Sequence, residues 1–242
     1  MRTYDKNQTI DVLQKEMVNI ESLYNAKCVN WTGNTRDTNE PYSEVIASEL
    51  LRDLKAFERI KQITRANTYC RENHCNIEMD ICNSNRKEEI FAKRLTGLTL
   101  EGLGLILDYQ IPLKDTRADK GAGKIDMLSF NQQTNTLYLI ELKYKDNSET
   151  LLRASLESYT YYIVINRQKL LADYGALLEK MVGSVDLENV TIKPAVLLVP
   201  PCKANDELED LALYERPQLK ALALALGISY FTLEVHTYET DL

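Results

Sequence analysis

At 242 residues, 44% apolar and 27% charged, the chain has the size and composition of an ordinary soluble globular protein, with one substantial core or a core plus a helical extension. A net charge of −7 excludes a protein coated with nucleic acid over its whole surface, and no run approaches the ~18 apolar residues of a membrane span. Five cysteines, an odd number, do not suggest a disulfide framework; the opening MRTYDKNQTI lacks the apolar stretch of a secretory signal, so a cytoplasmic protein is expected.

The first third reads as helices. Ile10, Leu13, Met17, Ile20 and Tyr24 recur at helical spacing, and so do Ile46, Leu50, Leu54 and Phe57. Between them NWTGNTRDTNEPYS (30–43) is a polar loop, with Ser43 as N-cap of the second helix. A polar stretch, 66–84, precedes a third helix at about 86–95, where Asn85 and Glu88 have capping-box spacing. The rhythm then changes to short apolar runs at 103–113, 124–130 and 136–144, expected as strands. A long helix is expected from Ser148 through about Ala172, then a strand at 193–200, a helix at about 206–226 and a final strand at 228–235. The order from residue 86 is α-β-β-β-α-β-α-β, an α/β fold with a mixed central sheet flanked by helices. Residues 1–83 form an N-terminal helical region and 84–242 a second unit.

Charge is unevenly distributed. Residues 1–85 carry 11 basic and 13 acidic groups, residues 86–146 carry 10 and 9, and residues 147–242 carry 8 and 14. The least acidic third holds LYLIELKY (137–144), where Glu141 and Lys143 interrupt an otherwise apolar strand. Alternation puts them on one face with Leu137 and Leu139, and the apolar opposite face marks a central strand covered on both sides. The preceding strand has a comparable oddity, Asp126 in KIDMLSF. A hairpin that pairs Leu128 with Leu139 and Phe130 with Leu137 sets Asp126 opposite Glu141.

Directly opposed carboxylates ~5 Å apart repel unless one is protonated or a cation lies between them. All-oxygen ligation favours Mg²⁺, Mn²⁺ or Ca²⁺ over zinc, and the Lys143 ammonium is a compact charge suited to a phosphate oxygen or a water beside it. These are the parts of metal-assisted phosphodiester hydrolysis. The competing reading is a buried Asp–Lys–Glu ion network with a purely structural role. Asp53-Leu54-Lys55 repeats the acid-x-Lys spacing on an expected amphipathic helix, as a solvated pair.

Asp126, fourteen intervening residues, then Glu141-Leu142-Lys143, set in α-β-β-β-α-β order over roughly residues 86–200, resembles the PD-(D/E)xK nuclease superfamily. The resemblance implies a restriction-endonuclease-like αβββαβ core and an Mg²⁺- or Mn²⁺-dependent nuclease, with DNA favoured over RNA. It implies Asp126 and Glu141 as metal ligands, the Leu142 carbonyl as a further ligand, and Lys143 as the group that positions water. The superfamily often adds a glutamate from the helix before the first strand, here Glu89 with Glu88 as the alternative. Ile125 stands where the motif's name has proline. Members without cleavage activity exist, so a non-catalytic nucleic-acid- or protein-binding module on the same fold is the second hypothesis.

Other stretches carry weaker signals. Lys114, Arg117, Lys120 and Lys124, around the loop DTRADKGAGK, can contact a phosphate backbone, or decorate a surface hairpin. The GAGK within it is no P-loop, because Ala118 stands where that motif needs glycine. The resemblance also implies a polar side chain offered to the site by the helix after the lysine strand, here Arg153 or Glu157, which share a helix face, while Tyr159, Tyr161 and Tyr162 are expected mainly to pack. Cys70, His74, Cys75 and Cys82 cluster without the C-x2-C pair usual for structural zinc, so reduced thiols are the expected state. Glu234 and His236 share a strand face as a structural pair. The N-terminal helices are assigned to partner binding, dimerisation or substrate selection; two-strand cleavage would suit a homodimer.

Overall fold

The computed structural model describes residues 3–70, 87–115 and 123–234. It is an α/β protein built on a mixed six-stranded sheet in the order β1 to β6. The strands are β1 (Thr99–Leu100), β2 (Gly104–Pro112), β3 (Lys124–Asn131), β4 (Thr136–Lys143), β5 (Thr191–Leu198) and β6 (Ser229–Thr232). The first four run as an antiparallel meander, and β4, β5 and β6 are parallel neighbours. Parallel pairing needs crossovers. Helices α4 (Leu151–Val164) and α5 (Arg167–Val182) connect β4 to β5, while α6 (Lys203–Ala212) and α7 (Pro217–Leu226) connect β5 to β6.

Every residue of β4 is buried. Leu137 and Leu139 face a core shared with α4, α5, α7 and the N-terminal segment. Tyr138, Ile140 and Leu142 face a second core, closed by Phe91, Ala92 and Leu95 of α3 (Lys87–Leu95). The β3–β4 register pairs Leu128 with Leu139 and Phe130 with Leu137, as the hairpin argument requires. Regular pairing stops at Met127 and Ile140, one residue short of Asp126 and Glu141.

The N-terminal residues join the same core. Helix α1 (Lys6–Glu16) starts in a capping box between Asp5 and Gln8, and 3-10 turns at Met17–Asn25 bury Ile20, Leu23 and Tyr24. Helix α2 (Tyr42–Arg52) packs on α7. Its Glu44 carboxylate accepts the Gln218 and Leu219 backbone N–H groups at 2.9 Å each, satisfying donors that the start of α7 leaves open.

Several elements depart from the sequence reading. Ser43 is not an N-cap: it lies inside α2, buried, and its hydroxyl accepts a hydrogen bond from Arg216. The long helix from Ser148 is two helices, broken at Ile165 where Asn166 caps α5 through the Lys169 N–H. A β-branched run, Ile163-Val164-Ile165, leads into that cap. The single helix at 206–226 is also two, because Pro217 starts α7 at its first turn. Strand β1 had no apolar run to announce it. Asp53 and Lys55 are exposed at the end of α2 and in a 3-10 turn. Asn85, His74, Cys75, Cys82 and His236 lie outside the described residues. No helix among the described residues is long and apolar enough to cross a membrane.

Candidate functional site

Where β3 leaves β4, an open cleft of about 500 Å³ is lined by Asp126, Glu141 and Lys143, together with Glu88, Gln110, Lys124, Asn147, Glu149, Arg153, Glu157 and Tyr161. The Asp126 carboxylate takes the place of a ladder partner: its Oδ2 accepts the Leu142 N–H at 3.0 Å. Its Oδ1 accepts the Gln110 side-chain amide at 3.0 Å. Gln110 sits in β2 with φ +53°, beyond a register shift between Ile106 and Asp108. A left-handed backbone within a strand costs of order 1 kcal/mol or more for a residue other than glycine. Here it accompanies a side chain turned onto the aspartate. N–H and C=O of one strand residue point to the same side, so the Leu142 carbonyl also faces the side that carries Asp126.

Glu141 and Lys143 are 5% and 3% exposed. The ammonium lies 2.7 Å from Glu141 Oε1, 2.5 Å from Glu149 Oε2 and 3.6 Å from Glu157 Oε2. Glu157 in turn accepts the Tyr161 hydroxyl at 2.8 Å, and the Tyr161 ring meets Tyr24 of the N-terminal segment edge-on at 5.7 Å between centroids. Arg153 Nε lies 2.8 Å from Glu149 Oε1 as an ionic contact, although its N–H is not aligned for a hydrogen bond. The Thr150 side chain caps α4, and Arg153 and Glu157, four residues apart within it, share one helix face.

Burial pushes the Asp126 carboxyl up to about 7, against the pull of Lys143 and the Leu142 N–H. Burial and then Asp126 and Glu157 raise Glu141 well above the usual carboxylate range. Burial alone would lower the Lys143 pKa, but Glu141, Glu157, Glu149 and Asp126 outweigh it, and the ammonium stays charged. Five carboxylates (Glu88, Asp126, Glu141, Glu149, Glu157) thus face three cations (Lys124, Lys143, Arg153) among the described residues of the cleft.

Asp126 therefore titrates in a measurable window. A carboxyl whose pKa is about 3.9 unfolded and about 7 folded contributes stability that is present below the lower value and lost as pH rises through the upper. In EDTA, Asp126→Asn should raise the Tm of the protein at pH 8 and change it little at pH 4. With Asp126 only partly buried by area, the gain is roughly 1–3 kcal/mol rather than the full shift. Thermal melts of both proteins across that range measure it.

The other sequence candidates divide. Glu88 lines the cleft and accepts the Asn147 amide at 2.7 Å and the Tyr144 N–H at 3.2 Å. Glu89 lines only an adjoining cleft of about 530 Å³, which shares Glu88, Gln110, Asp126 and Asn147 with the first. Lys124 is exposed at the start of β3, on the cleft wall. Lys114 is exposed, with its carbonyl held by Arg65, and does not line the cleft. Arg117 and Lys120 lie outside the described residues. Tyr159 packs edge-on against Phe57 and Tyr162 lies under the Arg167 guanidinium.

Gln110, Asn147 and Glu149 escaped the sequence reading. Gln110 depends on a strand irregularity, and NSE at 147–149 reads as an ordinary polar turn; the one available signal was its place immediately after the lysine strand. The chain matches no family model, no curated protein and no solved structure.

Among the described residues, no group of three or more His, Cys, Asp or Glu side chains is arranged to hold a metal ion. Asp126 and Glu141 are a pair. Burial raises both carboxyls, and the Asp126 charge adds to it at Glu141; such a pair suits a hard divalent cation, which can complete its shell with a backbone carbonyl and water.

Proposed function

We propose that the protein is a divalent-metal-dependent nuclease that hydrolyses phosphodiester bonds, in DNA more than RNA. One observation carries the reading: two carboxylates from adjacent strands, Asp126 and Glu141, converge beside a buried lysine in an open cleft. The order α3, β1, β2, β3, β4, α4, α5, β5 supports it by its likeness to the αβββαβ order of the PD-(D/E)xK core, with the two-residue β1 and helix α5 as additions.

Asp126, Glu141 and the Leu142 carbonyl would hold Mg²⁺ or Mn²⁺, which when bound supplies a lowered water pKa and charge neutralisation at the phosphate. The protein's own groups do the rest. Gln110 and the Leu142 N–H fix the aspartate, and the charged Lys143 orients water or a phosphate oxygen at the cleft floor. Glu88 is the outer carboxylate in this arrangement.

A second reading rests on the saturation of Lys143, held by Glu141 and Glu149 with Glu157 nearby. It is a structural ion network in a non-catalytic nucleic-acid- or protein-binding module. Incubation of supercoiled plasmid and of single-stranded DNA with Mg²⁺, Mn²⁺ or EDTA separates the two. The nuclease cleaves at least one substrate with metal and neither in EDTA; the module leaves both intact throughout.

A further inference from the structure

We propose that Lys143 and Arg153 form a phosphate subsite that the Glu149 side chain occupies in the resting protein as a built-in stand-in. The inference deepens the nuclease reading but is tested without metal or cleavage.

The Glu149 carboxylate lies between two cations, 2.5 Å from the Lys143 ammonium through Oε2 and 2.8 Å from Arg153 Nε through Oε1. An anion with two oxygens spread between an ammonium and a guanidinium is how a protein holds a phosphate group. The groups differ in how far they can move. Lys143 is 4% exposed at its side chain and its partner Glu141 6%, while Glu149 at 24% and Arg153 at 23% both line the open cleft.

The Glu149 backbone is fixed. Its N–H donates to Asn147 Oδ1 at 2.8 Å, Asn147 donates to Glu88, and the Asn147 carbonyl accepts the Lys203 N–H at 2.9 Å. Opening the subsite therefore takes a side-chain rotation towards the open mouth and no loop movement. Withdrawal leaves Lys143 with Glu141 and Glu157 on one side and a vacancy facing solvent, with Arg153 at its edge. A phosphodiester carries one negative charge, so it replaces the carboxylate like for like. While Glu149 stays, its charge repels that same ligand.

An internal competitor lowers the apparent affinity of a free ligand by the fraction of time it occupies the site. The probe is inorganic phosphate, titrated by calorimetry into protein in EDTA at low salt. Glu149→Gln should bind phosphate roughly tenfold or more tightly than wild type, and Arg153→Gln added to Glu149→Gln should remove the gain. Circular dichroism of each variant confirms the fold, and Lys145→Gln, which lines the adjoining cleft and not this one, should bind like wild type. Phosphate affinity in Glu149→Gln equal to or below that of wild type overturns the subsite. So does a gain that persists without the Arg153 guanidinium. Since neither measurement uses a metal or a cleavable substrate, the subsite can fail while the nuclease reading stands, and the reverse.

Discussion

Asp126→Asn and Glu141→Gln should each reduce metal-dependent DNA cleavage by roughly 10³-fold or more, with the protein still folded. Each change removes the charge that a divalent ion needs while keeping the side chain's shape. Asparagine at 126 can still accept the Leu142 N–H through its oxygen, and glutamine at 141 can still accept from Lys143. Loss of a single group that stabilises developing charge costs about 10²–10³ in rate, and loss of a carboxylate that also anchors the ion removes its chemistry altogether. Lys143→Ala should abolish cleavage as well, but its interpretation needs the stability measurement described next. Rates on supercoiled plasmid at saturating Mg²⁺, for separately purified proteins, check all three. Undiminished cleavage by Asp126→Asn and Glu141→Gln would place the activity elsewhere.

Lys143→Met should destabilise the fold by about 3–5 kcal/mol at pH 8, which is the usual cost of leaving one side of a buried ion pair uncompensated. Glu141 and Glu157, 6% and 13% exposed at the side chain, would face each other and Asp126 without the ammonium between them. Glu141, which burial already holds above the usual carboxylate range, escapes by protonation, so the penalty should shrink towards pH 5. The sign follows from linkage: carboxyls held above their unfolded pKa favour the fold when protonated and disfavour it as pH rises. For a chain of this length each kcal/mol moves Tm by roughly 2–4 °C. A melt that falls steeply at pH 8 and modestly at pH 5 supports this electrostatic account; an equal fall at both would assign the loss to packing.

Much of the sheet was legible because its cause is local. The near-continuous apolar run of 136–144 requires cover on both faces, and β4 has it. Alternation fixed the Leu128–Leu139 and Phe130–Leu137 pairs. Asp126 and Glu141 were legible as oddities in apolar strands, though the ladder ends before they pair and Asp126 spends one oxygen on a backbone amide. Hidden features came from irregular backbone or from distant partners. Gln110 reaches Asp126 through a left-handed residue beyond a bulge, and Ser43 is claimed by Arg216 across 173 positions of sequence. The break before α7 was readable, since Pro217 fits the first turn of a helix and not its middle.

The most direct test is a Mn²⁺ titration followed by electron paramagnetic resonance, on wild type, Asp126→Asn and Glu141→Gln at pH 8. A bound-ion signal is expected for wild type, and each substitution should weaken or remove it, because the excess of carboxylates over cations among the described residues of the cleft is what attracts the ion. Mn²⁺ that stays free in the presence of wild type, or binds equally to all three proteins, would contradict the metal site and with it the nuclease.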